Sequence, residues 1–274
     1  MQSGDAVYCE ATLNYAGEVD HAPVRVTMHD GRAALGQLDF EDCGFTLLAH
    51  PSRVKDWTDA EELQAVHIPE IERLATRFTG CDRAIVYPPI VRSPQSAAQE
   101  SDYAPILSVH SDFTDDYGLM VQEAGRPYRK FLDPLLQEEG LDVDDIANAE
   151  RVAMIQFWRN VGPPYPDHPF ALCDASTVPR SQLMPVLVPE YGGLHLEFEA
   201  FAVRKPASPA DNTWYTFPGL NANEVVVLRT YDSQCKAEGR AFWTPHTAFP
   251  DPTTGPDAPR RESVEMRALC LFGI

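Results

Sequence analysis

Basic residues are scarce in this chain: Lys and Arg total 22 against 41 Asp and Glu, which leaves a net charge of −19. A field of that sign repels phosphate backbones and anionic membrane surfaces, so nucleic acid is not an expected partner. Long apolar runs are missing too, and none approaches the roughly 18 residues that a membrane-spanning helix needs. Met1 to Asp5 hold neither a basic region nor an apolar signal core, so a cytoplasmic protein with no membrane partner is expected. The six cysteines never fall at C-x-x-C spacing, which removes the common zinc and dithiol motifs and points to buried, reduced thiols. A G-x-S-x-G motif, a phosphate-cradling glycine loop and a dinucleotide fingerprint are also absent. Serine-hydrolase and nucleotide-dependent chemistry lose their usual signals with them.

What is present is a succession of short β-branched and aromatic runs bounded by Pro, Gly, Asn or Asp. Val7 to Leu13, Val24 to Met28, Phe45 to Ala49, Ala84 to Tyr87 and Ile106 to His110 read as strands. So do Val152 to Trp158, Phe170 to Cys173, Leu194 to Val203, Thr213 to Phe217, Val225 to Tyr231, Ala241 to Trp243 and Val264 to Phe272. So many short strands predict a sandwich or barrel. Ile71, Leu74, Ala75 and Phe78 recur at helical spacing, with Thr58 as a cap, Pro69 as a break and Gly80 as the stop. Pro134 divides a second helical stretch, Tyr128 to Leu135, into two expected short helices. The 274 residues suit one domain spanning the chain, with the β core from about residue 84 onward and the N-terminal strands and helix packed on it.

Ser108 to Thr114 follows a strand pattern, and a period of two aims His110 and Asp112 to the same side. An imidazole nitrogen and a carboxylate oxygen suit Fe(II). A distant second histidine would complete a 2-His-1-carboxylate triad with positions left for a co-substrate and O2. His246, in Thr244 to Phe249, is the candidate, since it follows several predicted strands and precedes a final strand rich in arginine. On that final strand Arg261, Ser263, Glu265 and Arg267 share one face, while Val264, Met266, Ala268 and Cys270 share the other. A polar face on a core strand needs a partner. The distal carboxylate of 2-oxoglutarate would be one, paired with a guanidinium and a nearby hydroxyl. A plain Arg267 pair with Glu265 or Glu262 is the structural alternative.

Together these blocks resemble the Fe(II)/2-oxoglutarate-dependent oxygenases of secondary metabolism related to gibberellin desaturase and cephalosporin 7α-hydroxylase. Gly80 to Val86, Val109 to Thr114, Phe157 to Asn160, Pro169 to Ala175, Leu228 to Ser233, Thr244 to Asp251 and Pro259 to Leu269 carry the likeness. It implies a mainly β fold with flanking helices around a double-stranded β-helix (jelly-roll, cupin-like) core. It also implies iron, 2-oxoglutarate and O2 as cofactors, and hydroxylation, desaturation or cyclisation of a small molecule. The Arg261-x-Ser263 pair resembles the family's co-substrate anchor, and Arg261 ranks above Arg267. Two rival readings remain: a non-catalytic jelly-roll binding protein, and an Fe(II) oxidase that uses the same triad without 2-oxoglutarate.

Phe113, Trp158, Arg159, Tyr231 and Arg92 are the expected substrate contacts. Trp158 and Arg159 end a predicted strand where an active-site mouth could form, with the Pro250 to Pro259 loop as its rim and Arg159 as a fixed cation for an acid or carbonyl. Core packing is the competing expectation for Trp158 and Tyr231, a surface pair for Arg159 and an exposed loop for Arg92. His195-Leu196-Glu197 repeats the His-x-acid geometry and is the nearest competitor to His110.

Overall fold

The structure is a computed structural model that describes residues 6–192 and 196–274; His195, half of the competing His-x-acid pair, lies outside them. Fourteen strands are described: β1 Val7–Ala16, β2 His21–Asp30, β3 Phe45–Ala49, β4 Arg83–Val86, β5 Ile90–Arg92, β6 His110–Ser111 and β7 Arg151–Asn160. They continue with β8 Phe170–Cys173, β9 Leu183–Val188, β10 Phe198–Val203, β11 Trp214–Thr216, β12 Glu224–Asp232, β13 His246–Ala248 and β14 Ser263–Phe272. They form two sheets, as the expected mainly β jelly roll requires. One has eight strands in the order β1-β2-β11-β8-β13-β6-β10-β9, and the other runs β3-β12-β7-β14-β4 with β5 also paired to β14. No helix among the described residues is long and apolar enough to cross a membrane.

The period-two pattern decides which face each residue takes. On β14, Leu269 and Leu271 join the core between the sheets, while Val264, Met266, Ala268 and Cys270 join a second cluster on the outer face. Helix Ile68–Thr79 covers that outer face with Ile71, Leu74 and Ala75. Pro69 sits in its first turn, where the missing N–H costs little, and Gly80 ends it at φ 72°. The same alternation on β7 sends Val152, Met154 and Trp158 inward and Ala153, Ile155 and Phe157 outward.

Several local expectations need correction. The helical turn before Ile68–Thr79 is capped by Asp59, not Thr58. Arg129–Glu138 is one helix with Pro134 inside it, because burial of Leu132 and Leu136 outweighs the one lost hydrogen bond. Ala241 to Trp243 is irregular, and the strand there is His246–Ala248 instead.

Candidate active site

β6 and β13 lie side by side in the eight-stranded sheet, with His246 paired directly to His110. Asp112 follows β6 by one residue and turns the same way as His110. The His246 Nε2–Asp112 Oδ1 distance is 3.4 Å, the His110 Nε2–Asp112 Oδ1 distance is 3.8 Å, and the two imidazole centroids are 4.4 Å apart. One donor atom from each of the three lies within 4.8 Å of the others. Each ring is fixed from behind, with His110 Nδ1 2.8 Å from the Ser108 carbonyl and His246 Nδ1 2.9 Å from the Thr244 carbonyl. Those contacts select the tautomer with the proton on Nδ1, leaving each Nε2 lone pair aimed at the common centre.

Electrostatics favour the same arrangement. Burial and the neighbouring His246 push the His110 imidazole down to about 4, so it is neutral at neutral pH. Burial alone would raise the Asp112 carboxyl, but the Arg267 charge and the His246 hydrogen bond hold it well below the usual carboxylate range. Two imidazoles with Nε2 turned inward and one deprotonated carboxylate form a donor set for a divalent ion.

Arg267 reaches this carboxylate from β14. Its Nε and Nη2 lie 3.0 and 2.9 Å from Asp112 Oδ2, so one oxygen is tied to the guanidinium and the other faces the histidines. Glu265 Oε1 stands 3.7 Å from Arg267 and accepts from Arg92 Nη2 at 2.8 Å. A chain of alternating charge therefore runs Asp112, Arg267, Glu265, Arg92. The pair with Asp112 was not among the sequence expectations for Arg267, because no local spacing connects the two positions.

Arg261 differs from these. It is 5% exposed and lines the same recess as His246, Asp112 and Arg267, with its guanidinium 5.7 Å from the Trp158 ring. Its one side-chain hydrogen bond runs from Nη1 to the His168 carbonyl at a long 3.4 Å, and Nε has no partner among the described residues. Burial and the nearby Arg92 charge push it down to about 9. Arg261 lies two residues before β14, not on the strand as expected; the Ser263 hydroxyl at the start of β14 is buried and also without a partner among the described residues. A buried cation with an unsatisfied nitrogen suits a carboxylate ligand, since leaving it without a counter-charge is costly.

On the other side of the triad opens a chamber of about 470 Å³. Tyr87, Tyr128, Phe131, Tyr191, Phe198 and Ala200 are among its walls. Of the expected substrate contacts, Phe113 lines it and the other four do not. Trp158 stacks on Phe170 at 4.8 Å and borders the Arg261 recess. Arg159, one residue on, must point to the opposite face; it donates to the carbonyls of His50, Ala222 and Glu224 and lies over Trp57. Tyr231 follows a bulge in β12 and is packed against Tyr117 and Phe242 in the core. Arg92 is buried on β5 with its charge engaged by Glu265, not exposed on a loop. The Pro250 to Pro259 loop lies elsewhere too, tied down where the Tyr8 hydroxyl donates to Asp251 at 2.7 Å.

Comparison with known families matches residues 4–271 to a model described as the Oxidoreductase/YMDC permease-like domain. The chain belongs to that family. As a member of this oxidoreductase family it is similar to the hydroxylase/desaturase CTB9 of Cercospora beticola, 26% identical over 83% of this chain and 70% of that protein. It is also similar to the Fe(II)/2-oxoglutarate-dependent dioxygenase nvfI of Aspergillus novofumigatus, 26% identical over 92% of this chain and 84% of that one. The solved iron and alpha-ketoglutarate-dependent endoperoxidase NvfI shares the fold, with a TM-score of 0.74 at 22% identity over 98% of this chain and 99% of that one.

Proposed function

We propose that the chain is a non-haem Fe(II)- and 2-oxoglutarate-dependent oxygenase acting on a small secondary metabolite. In this reading His110, Asp112 and His246 hold the iron, and Arg261 with Ser263 anchors the distal carboxylate of 2-oxoglutarate. Arg267 acts through Asp112, holding one carboxylate oxygen so that the other faces the metal position. The observation that carries the reading is the buried Arg261, with no ion pair among the described residues, in the recess that His110, Asp112 and His246 also line. The names of the relatives support the same chemistry. When bound, iron with 2-oxoglutarate and O2 would supply the oxidising power for hydrogen abstraction, from which hydroxylation, desaturation and cyclisation all begin. The protein's own part is to orient the donors, satisfy the co-substrate carboxylate and keep the centre dry.

Anaerobic addition of Fe(II) and 2-oxoglutarate tests the assignment. A weak visible charge-transfer band is expected from the wild type and not from Arg261→Ala at the same co-substrate concentration. A non-catalytic jelly-roll binding protein, or an oxidase independent of 2-oxoglutarate, would give no band with either protein, and that result would overturn the proposal.

A further inference from the structure

Building on the oxygenase reading, we infer that the substrate is a neutral, predominantly apolar molecule of drug-like bulk, carrying no carboxylate or phosphate. The chamber's volume of about 470 Å³ falls within the range of pockets that enclose such ligands. Pro88, Pro89 and Ile90 form one wall, Val186 and Val188 of β9 another, and Phe198, Ala200 and Ala202 of β10 a third. Ile106, His110, Asp112 and Arg267 line both this chamber and the Arg261 recess, so a molecule in the chamber reaches the triad.

Among the described residues, the chamber's charged groups leave an anion without a partner. The one guanidinium among its described residues, Arg267, is already paired with Asp112 at 2.9 Å and faces Glu265 at 3.7 Å. His110 is fixed through Nδ1 on the Ser108 carbonyl at 2.8 Å with Nε2 turned to the triad centre, and His21 lies at the exposed start of β2. The remaining polar groups are neutral hydroxyls. Tyr87 and Tyr128 are pushed well above the usual phenol range by burial, and Tyr191 accepts from Arg92 at 2.7 Å. An anionic substrate would shed its hydration for aromatic and aliphatic walls with no free cation among the described residues in return. The chain's net charge of −19 adds to that penalty. Arg159, the cation that the sequence offered for an acid, lies on the opposite face of β7 and cannot serve.

A matched pair of probes tests the inference in the metal-free chain, with binding followed by calorimetry at pH 8. The probes are methyl dehydroabietate, a neutral tricyclic ester, and dehydroabietate, its free carboxylate. The ester is expected to bind at least about tenfold more tightly than the carboxylate. Ala200→Trp, which fills the chamber from β10, should abolish ester binding, and Val188→Trp on the edge strand should do the same if the first variant does not fold. Equal or tighter binding of the carboxylate would overturn the inference. So would ester binding that survives the filling variant, or no ester binding up to its solubility limit. Iron affinity measured on the same preparation separates this from the underlying assignment: lost Fe(II) binding with the ester preference intact sinks the metal reading and leaves the chamber's selectivity standing.

Discussion

The two faces of the six-stranded sheet both bury arginines, but they satisfy them differently. On the outer face Arg159 gives its protons to three backbone carbonyls and to His50 Nδ1 at 2.9 Å, and stacks on Trp57. Its role there is to close the loop around residues 50–67 over the sheet. On the inner face Arg92 and Arg267 are paired with Glu265 and Asp112, and Arg261 remains over. Burial alone therefore does not identify a functional arginine. What separates Arg159 from Arg261 is that the protein gives the first three carbonyls and an imidazole nitrogen and the second a single long contact.

The largest expected effect falls on the inner face. His110→Ala, Asp112→Ala and His246→Ala should each remove most Fe(II) binding and turnover, the two histidine variants melting near the wild-type temperature and Asp112→Ala lower, because it leaves the buried Arg267 without its counter-charge. Near-stoichiometric iron with full turnover in any one of them would show that the triad is misassigned.

Arg159→Ala should show the opposite profile. Losing the guanidinium leaves buried carbonyls unsatisfied and a cavity against Trp57, a cost of about 3 kcal/mol in denaturant unfolding. Product formed per succinate released should stay at the wild-type ratio at low temperature. A coupling defect with unchanged stability would return Arg159 to the substrate side and erase the distinction between the faces.

Within the inner face, Arg261→Ala should raise the 2-oxoglutarate requirement by roughly thirty- to two-hundred-fold, equivalent to about 2–3 kcal/mol for a charge-assisted carboxylate contact. Arg267→Ala should instead weaken Fe(II) affinity by about tenfold or more, since it orients Asp112. Titrations of iron and co-substrate on both variants check the division, and a reversed pattern would move the anchor to Arg267.

How far the sequence could reveal this division depended on whether a signal was local. The inward set Ser263, Glu265 and Arg267 was legible because β14 is long and regular, so a period of two applies without interruption, whereas Arg261, expected on the same strand, lies in the irregular segment just before it. The same rule, applied to β7, separates Trp158 from Arg159; placing both at one mouth ignored it. β9 went unseen because Pro185 within Leu183–Val188 reads against a strand, although an edge position tolerates it. The chamber was illegible for another reason. Tyr87, Tyr128, Tyr191 and Phe198 come from separate segments with no spacing in common, and only the fold brings them together.

The smallest effect concerns pH and belongs to the outer face. His67 is buried beside Trp57, with Nδ1 3.5 Å from Glu70 Oε2, and Arg159 and His50 bear on it from the strand and loop packed above. Burial and the Arg159 charge push it down to about 4, although Glu70 acts in the other direction. The folded state thus resists protonation that the unfolded chain accepts near 6.5. Stability from this group is present above about pH 6.5 and is lost as pH falls toward 4. Between pH 7 and 5 the loss amounts to about 2 kcal/mol. Urea unfolding of the wild type and of His67→Gln across that interval isolates it: the variant should be less stable at pH 7 but should lose less on acidification. Equal slopes in the two proteins would mean that the outer-face network tolerates the charge, and that its arginine and histidine are not held as tightly as the carbonyl contacts of Arg159 require.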